Sequence, residues 1–156
     1  MIVSIAVEEP GWRQIPALDE LTQDAVNATL ANARAAHENF ETAFLFTNDD
    51  AVAGLNSKWR GKPSPTNVLS FPAKNAPVAQ GESRPLGDVV LAWGVVSREA
   101  ASQGKTLPHH AAHLIVHGLL HLLGHDHETD EEAAVMQQLE TQIMKDLGFP
   151  DPYERQ

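Results

Sequence analysis

The chain has 156 residues, 42% hydrophobic and 21% charged, with 10 Gly, 10 Pro and no Cys. At roughly 100–200 residues per domain this length predicts one domain over 1–156, long enough to hold together by its own core without a structural metal. The lack of cysteine excludes a disulfide scaffold, thiolate-held zinc, iron–sulfur clusters and thiol catalysis. No apolar run approaches the roughly 18–20 residues of a membrane span, and Met1–Val7 lacks the basic flank of a signal peptide. The expectation is therefore a cytoplasmic protein without a membrane partner.

Eleven Lys and Arg against 21 Asp and Glu give a net charge of −10, which argues against duplex DNA or any partner needing a broad basic face. The cations are not evenly spread: Lys58, Arg60, Lys62, Lys74 and Arg84 fall together, whereas the stretch from Asp126 to the end is strongly acidic. A polyanion would have to be met by that local patch.

Along the chain, Ile2, Val3, Ile5 and Val7 predict a strand over 2–7, stopped by Glu8-Glu9-Pro10-Gly11. Apolar residues at helical spacing from Leu18 to Ala36 predict a helix over 16–38. A short strand over 43–47 follows, then a helix over about 50–57 opened by the cap residues Asn48, Asp49 and Asp50. Residues 58–67, with Gly61, Pro63 and Pro65, predict a loop. Strands over 68–71 and 86–93 come next, separated by a polar loop over 73–85, and helices over 95–103, 108–123 and 128–147 complete the chain. Pro108 suits a first helical turn, and Gly124 suits a helix stop because it enters the left-handed conformation without a Cβ penalty. The order βαβαββααα predicts an α+β fold, a small mixed four-stranded sheet with helices packed on it, and the histidines of the helix over 108–123 make it the expected zincin-like metal-binding helix near the C-terminus. Strand order does not follow from the order of elements.

Seven of the eight histidines lie between 109 and 127. On the helix, Ala112, Ile115, Val116, Leu119, Leu122 and Leu123 form an apolar face, and His113, His117 and His121 form a stripe with one residue per turn. Imidazoles one turn apart can converge on one ion, the principle behind HExxH sites. His113 lies eight residues from His121, about 12 Å along the axis, too far to share that ion, which leaves it a supporting role behind a ligand. A third ligand must come from beyond Gly124, where His125 and His127 are both candidates and spacing does not choose between them. Three imidazoles with an open position is a catalytic arrangement, whereas structural zinc is usually enclosed by four ligands and prefers Cys. His37, His109 and His110 read as packed or solvated side chains.

The stretch His117-Gly118-Leu119-Leu120-His121-Leu122-Leu123-Gly124-His125-Asp126-His127 resembles the signature of the YbeY family of bacterial endoribonucleases, also called rRNA maturation factors. A second block matches independently: Arg60-Gly61-Lys62, then Pro65 through Pro72, then Leu86-Gly87-Asp88. The resemblance implies zinc ligands at His117, His121 and His127, one Zn2+ per chain, and an essential arginine at Arg60. It places His125 where the family commonly has Tyr. It further implies single-stranded RNA as substrate, and a role with the ribosome or a ribosomal protein in maturation of the 16S small-subunit rRNA 3′ end and in quality control.

Zinc on three neutral imidazoles keeps its full charge, lowers the pKa of bound water toward about 7 and polarises a phosphoryl oxygen. The catalytic candidates are His117 and Arg60, the latter a planar fork matched to phosphate oxygens. Lys58, Lys62, Thr66, Asn67 and Ser70 are candidate substrate contacts, Trp59 a candidate for base stacking, and Asp88 and Asp126 candidate hydrogen-bond partners of ligand histidines. Gly118 stands where a peptidase of HExxH type needs its Glu. A non-catalytic, metal-stabilised ribosome-assembly factor is the alternative reading, and nickel, copper or iron are alternative metals. The sequence does not choose between attack by metal-activated water and attack by the ribose 2′-OH, because no residue clearly supplies a general base.

Overall fold

The computed structural model describes residues 2–33, 40–74, 79 and 81–154. Its elements are β1 (Ile2–Val7), α1 (Leu18–Ala33), β2 (Phe40–Thr47), α2 (Asp49–Arg60), β3 (Val68–Pro72), β4 (Arg84–Ala92), α3 (Trp93–Gln103), α4 (Leu107–Leu122) and α5 (Asp130–Asp146). A 3-10 turn at Pro10–Gln14, not anticipated from the sequence, joins β1 to α1 and buries Trp12 completely. The fold is α+β with a mixed sheet of order β1-β2-β4-β3, in which β1, β2 and β4 run parallel and β3 is the antiparallel edge. No helix among the described residues is long and apolar enough to cross a membrane.

Alternation along the strands gives the sheet two unlike faces. On one, Ile5, Phe44, Val89 and Leu91 meet α1, α4 and α5 in the main core, where Val26, Ile115, Leu119 and Ile143 are buried. On the other, Leu69, Val90 and Ala92 pack against Val52 of α2 in a much smaller cluster. Gly118 is what allows α4 to lie so close to the sheet. A Cβ there would sit 2.7 Å from the Val89 side chain and 3.2 Å from Ser70 Oγ, and Ser70 donates to the Gly118 carbonyl at 3.0 Å.

Several boundaries moved. Helix α2 runs on through Arg60, so Lys58, Trp59 and Arg60 occupy its last turn rather than a loop. The prolines at 63 and 65 disfavour helix only from the residues just before them. The basic side chains of the last turn suit the negative end of the helix dipole, and Gly61 supplies the stop. Helix α1 begins two residues later than the periodicity suggests because Ala17 sits at φ +53. The segment 34–38 of that predicted helix, His37 included, lies outside the described residues. Trp93 opens α3 instead of closing β4, with its indole edge against Trp12 at 5.2 Å.

Candidate metal centre and its surroundings

Helix α4 is capped by Thr106, whose hydroxyl accepts from the His109 backbone N–H at 3.2 Å, and gives way at Leu123 to Gly124 at φ +97. That turn carries the chain back over the last helical turn. The result is a cluster of His117, His121 and His127 whose nearest ring nitrogens all lie within 4.8 Å of one another. The His117 and His121 Nε2 atoms are 3.1 Å apart. Tetrahedral ligands at the usual zinc–nitrogen distance stand roughly 3.3 Å apart, so this pair is already spaced for one ion. His127 belongs to this cluster, whereas His125 lines the same cavity outside it.

The donor chemistry fits a cation as well. Glu140 of α5, 1% exposed, accepts from His117 Nδ1 at 2.8 Å and from His113 Nε2 at 2.5 Å, and Tyr153 donates its hydroxyl to the same carboxylate. Burial pushes the Glu140 carboxyl up, but these three hydrogen bonds outweigh it and hold its pKa down at about 2. A carboxylate that stays ionised can only accept, so the proton of His117 sits on Nδ1 and the Nε2 lone pair is left facing His121. His121 is held below its ordinary pKa by burial and by its neighbours His117 and His127, which keeps it neutral. Neutral imidazole is the form that binds a metal. Tyr153 is pinned in place by the tail around it, where Lys105 donates to the Pro152 carbonyl at 2.6 Å.

Arg60 lines the same cavity as the three histidines, a space of about 680 Å3 that also takes in Thr66, Asn67, Ser70 and Asp126. Arg60 joins this cavity from the last turn of α2, His117 and His121 from the end of α4, and His127 from just beyond it. The other candidate side chains divide. Asn67 accepts from the Val68 N–H at 2.7 Å and donates to Glu99 at 3.0 Å, so it fixes the entry into β3. The Ser70 hydroxyl is likewise engaged with α4. Asp126 accepts from the His127 backbone N–H at 2.7 Å, orienting the turn rather than an imidazole ring. Asp88 points to the opposite face of the sheet, one residue out of phase with Val89, and touches no histidine. Lys58 and Lys62 lie outside the lining of the cavity, and the Lys58 amine sits 5.3 Å from the Trp59 ring centroid.

Histidines at the other end of α4 behave as packing residues. His109 stacks on Phe149 at 5.5 Å, and His110 meets Glu99 at 2.9 Å while 3% exposed. The residue the sequence reading missed is Glu140. Its signal was there: one acid interrupts the stripe Met136, Leu139, Ile143 and Met144 on the buried side of α5. A buried carboxylate among apolar neighbours has to find donors.

A mixed sheet carrying one helix with two imidazoles a turn apart, and a third imidazole just past the helix end, defines a zincin-like α+β protein with a candidate metal centre. Comparison with known proteins narrows this. The chain belongs to the YbeY family, whose model, described as Endoribonuclease YbeY, matches residues 8–148. An Endoribonuclease YbeY of Jannaschia sp. (strain CCS1) is 45% identical over 98% of this chain and 100% of its own length. One of Chelativorans sp. (strain BNC1) is 44% identical over 97% of this chain and 92% of its own. The solution structure of a Thermotoga maritima protein superimposes with a TM-score of 0.59 at 20% identity, covering 99% of this chain and 100% of that one, which bears on the fold alone.

Proposed function

We propose that this protein is a zinc-dependent endoribonuclease that cleaves single-stranded RNA in the cytoplasm, acting on the 3′ end of small-subunit rRNA and in ribosome quality control. The observation that carries the reading is the shared cavity: Arg60 and three convergent imidazoles line one open space, and the donor atoms of the cluster are all imidazole nitrogens. An arginine facing a cation site is suited to a substrate that brings phosphate oxygens.

His117, His121 and His127 would hold the ion, with Glu140 fixing the His117 ring behind it. A divalent ion bound there supplies Lewis-acid charge to the phosphodiester and to water. Arg60 binds the phosphate by its planar fork and offsets the negative charge that builds as the phosphorus is attacked. Thr66, which lines the same cavity, would donate its hydroxyl to a phosphate oxygen or a ribose hydroxyl. The peptidase alternative fails on packing: a Glu side chain at position 118 has no room between α4 and the sheet.

Metal content and single-stranded RNA cleavage, measured together on the wild type, Arg60→Ala and His117→Ala, test this. Loss of one transition-state donor costs about 100- to 1000-fold in kcat, so Arg60→Ala should fall by that factor with its metal intact. His117→Ala should lose both metal and cleavage. Full activity in metal-free His117→Ala protein would refute the proposal. Metal-dependent melting without any RNA cleavage would favour the assembly-factor reading, in which the ion only ties the C-terminal helices together.

A further inference from the structure

The second large cavity lies on the other face of the sheet, beyond the part that α2 covers. It has a volume of about 740 Å3. Its floor is Ala43, Leu45 and Val90, and its walls are Leu55 and Trp59 of α2 and Phe71 of β3. That size falls within the roughly 300–1,000 Å3 of small-molecule sites. Trp59, a base-stacking candidate from the sequence, is 63% exposed, the most exposed large apolar residue among those described. Trp12, by contrast, is completely buried.

Two features tie this cavity to the histidine site. Pro72 lines both spaces, and Trp59 and Arg60 are adjacent residues of one helical turn, the first lining the apolar cavity and the second the polar one. Cations cluster at the junction: Lys58 lies over the Trp59 ring, Lys74 lines the apolar cavity, and Arg60 stands in the polar one. One face of the Trp59 ring is thus held by an ammonium, and the ring remains open to stacking. The apolar floor rejects a phosphate, and Asp88, the carboxylate on its wall, repels one, whereas the faces of a base are apolar and its edge N–H groups can donate to Asp88.

We propose that this cavity is a nucleobase subsite, in which a nucleotide flanking the cleaved bond crosses Pro72 and stacks its base on Trp59. The inference rests on the RNA-cleaving reading of the histidine site. The backbone of that nucleotide passes the Arg60, Lys58 and Lys74 cations while its base leaves water. Stacking on an aromatic side chain tolerates any base, so the subsite contributes affinity and register more than sequence choice.

Short single-stranded RNA carrying one abasic ribose, placed in turn at each position around the cleaved bond, tests the subsite. With wild-type protein, one flanking position should raise KM roughly five- to hundredfold when its base is missing. Trp59→Ala should raise KM for intact RNA by a similar factor and be indifferent to the base at that position, and Trp59→Phe should recover most of the loss. RNA should quench the emission of the exposed tryptophan in wild type and not in Trp59→Phe. An unchanged KM in folded Trp59→Ala protein overturns the subsite, as does an abasic penalty that persists in that variant. The same abasic series in wild-type protein decides the matter if Trp59→Ala does not fold. A wild-type protein that cleaves no RNA refutes the parent reading instead, an outcome separate from cleavage that ignores Trp59.

Discussion

Helix α4 carries histidines at both ends, and the two ends put the same side chain to opposite uses. At the start, His109 and His110 are 4% and 3% exposed, one stacked on Phe149 and the other bonded to Glu99. At the end, His117 and His121 turn ring nitrogens into an open cavity, and His127 joins them from beyond the helix. Helical spacing does not separate the two groups. What separates them is where the helix lies on the sheet: its first turns are enclosed by α3 and the C-terminal tail, whereas its last turn lies beside the edge strand β3 and stops at Gly124. At His117 one ring nitrogen is fixed by the buried Glu140 and the other is left facing the cavity.

That difference can be tested by disturbing each end separately. The largest effect is expected at Glu140, the acceptor behind His117. Glu140→Gln keeps the shape but offers one acceptor oxygen in place of two to the donors His113, His117 and Tyr153. Metal affinity, read by competition with a chromophoric chelator, should fall about 10- to 100-fold. An unchanged affinity would mean that the ring of His117 is held by helix packing alone.

A smaller and different effect is expected at the other end. His110→Ala breaks the part-buried bond to Glu99, and a hydrogen bond to a charged partner contributes at most about 1.5–3 kcal/mol. Denaturant unfolding should register that loss while metal content stays at the wild-type level. Loss of metal in this variant would erase the distinction between the two ends.

The smallest effect is that of pH on the enclosed pair. His109 and His110 both titrate below their ordinary value, chiefly because burial disfavours the charged ring, with Lys105 and His113 adding to the effect and Glu99 opposing it at His110. The unfolded chain then binds more protons than the folded one just below pH 6.5, so stability falls as pH drops through that value. Melting temperatures taken between pH 7.5 and about 5 should decline, and less steeply in a His109→Gln, His110→Gln double variant. A flat wild-type profile would show that the two rings titrate alike in both states.

The chain pattern was sufficient for the α+β class, the His117 and His121 pair, the stop at Gly124 and the candidacy of Arg60, because each depends on local periodicity, a single special backbone position or a short motif. It also disposed of cysteine chemistry outright. Tertiary structure decided the rest. It gathered His127 rather than His125 beside His117 and His121, brought α2 beside the end of α4 so that Arg60 shares a cavity with the imidazoles, set Asp88 on the far face and Glu140 behind His117, and left Trp59 exposed. Those outcomes depend on strand order and on which face of the sheet each helix covers. They arise from contacts between residues far apart in the chain, which local propensity does not encode.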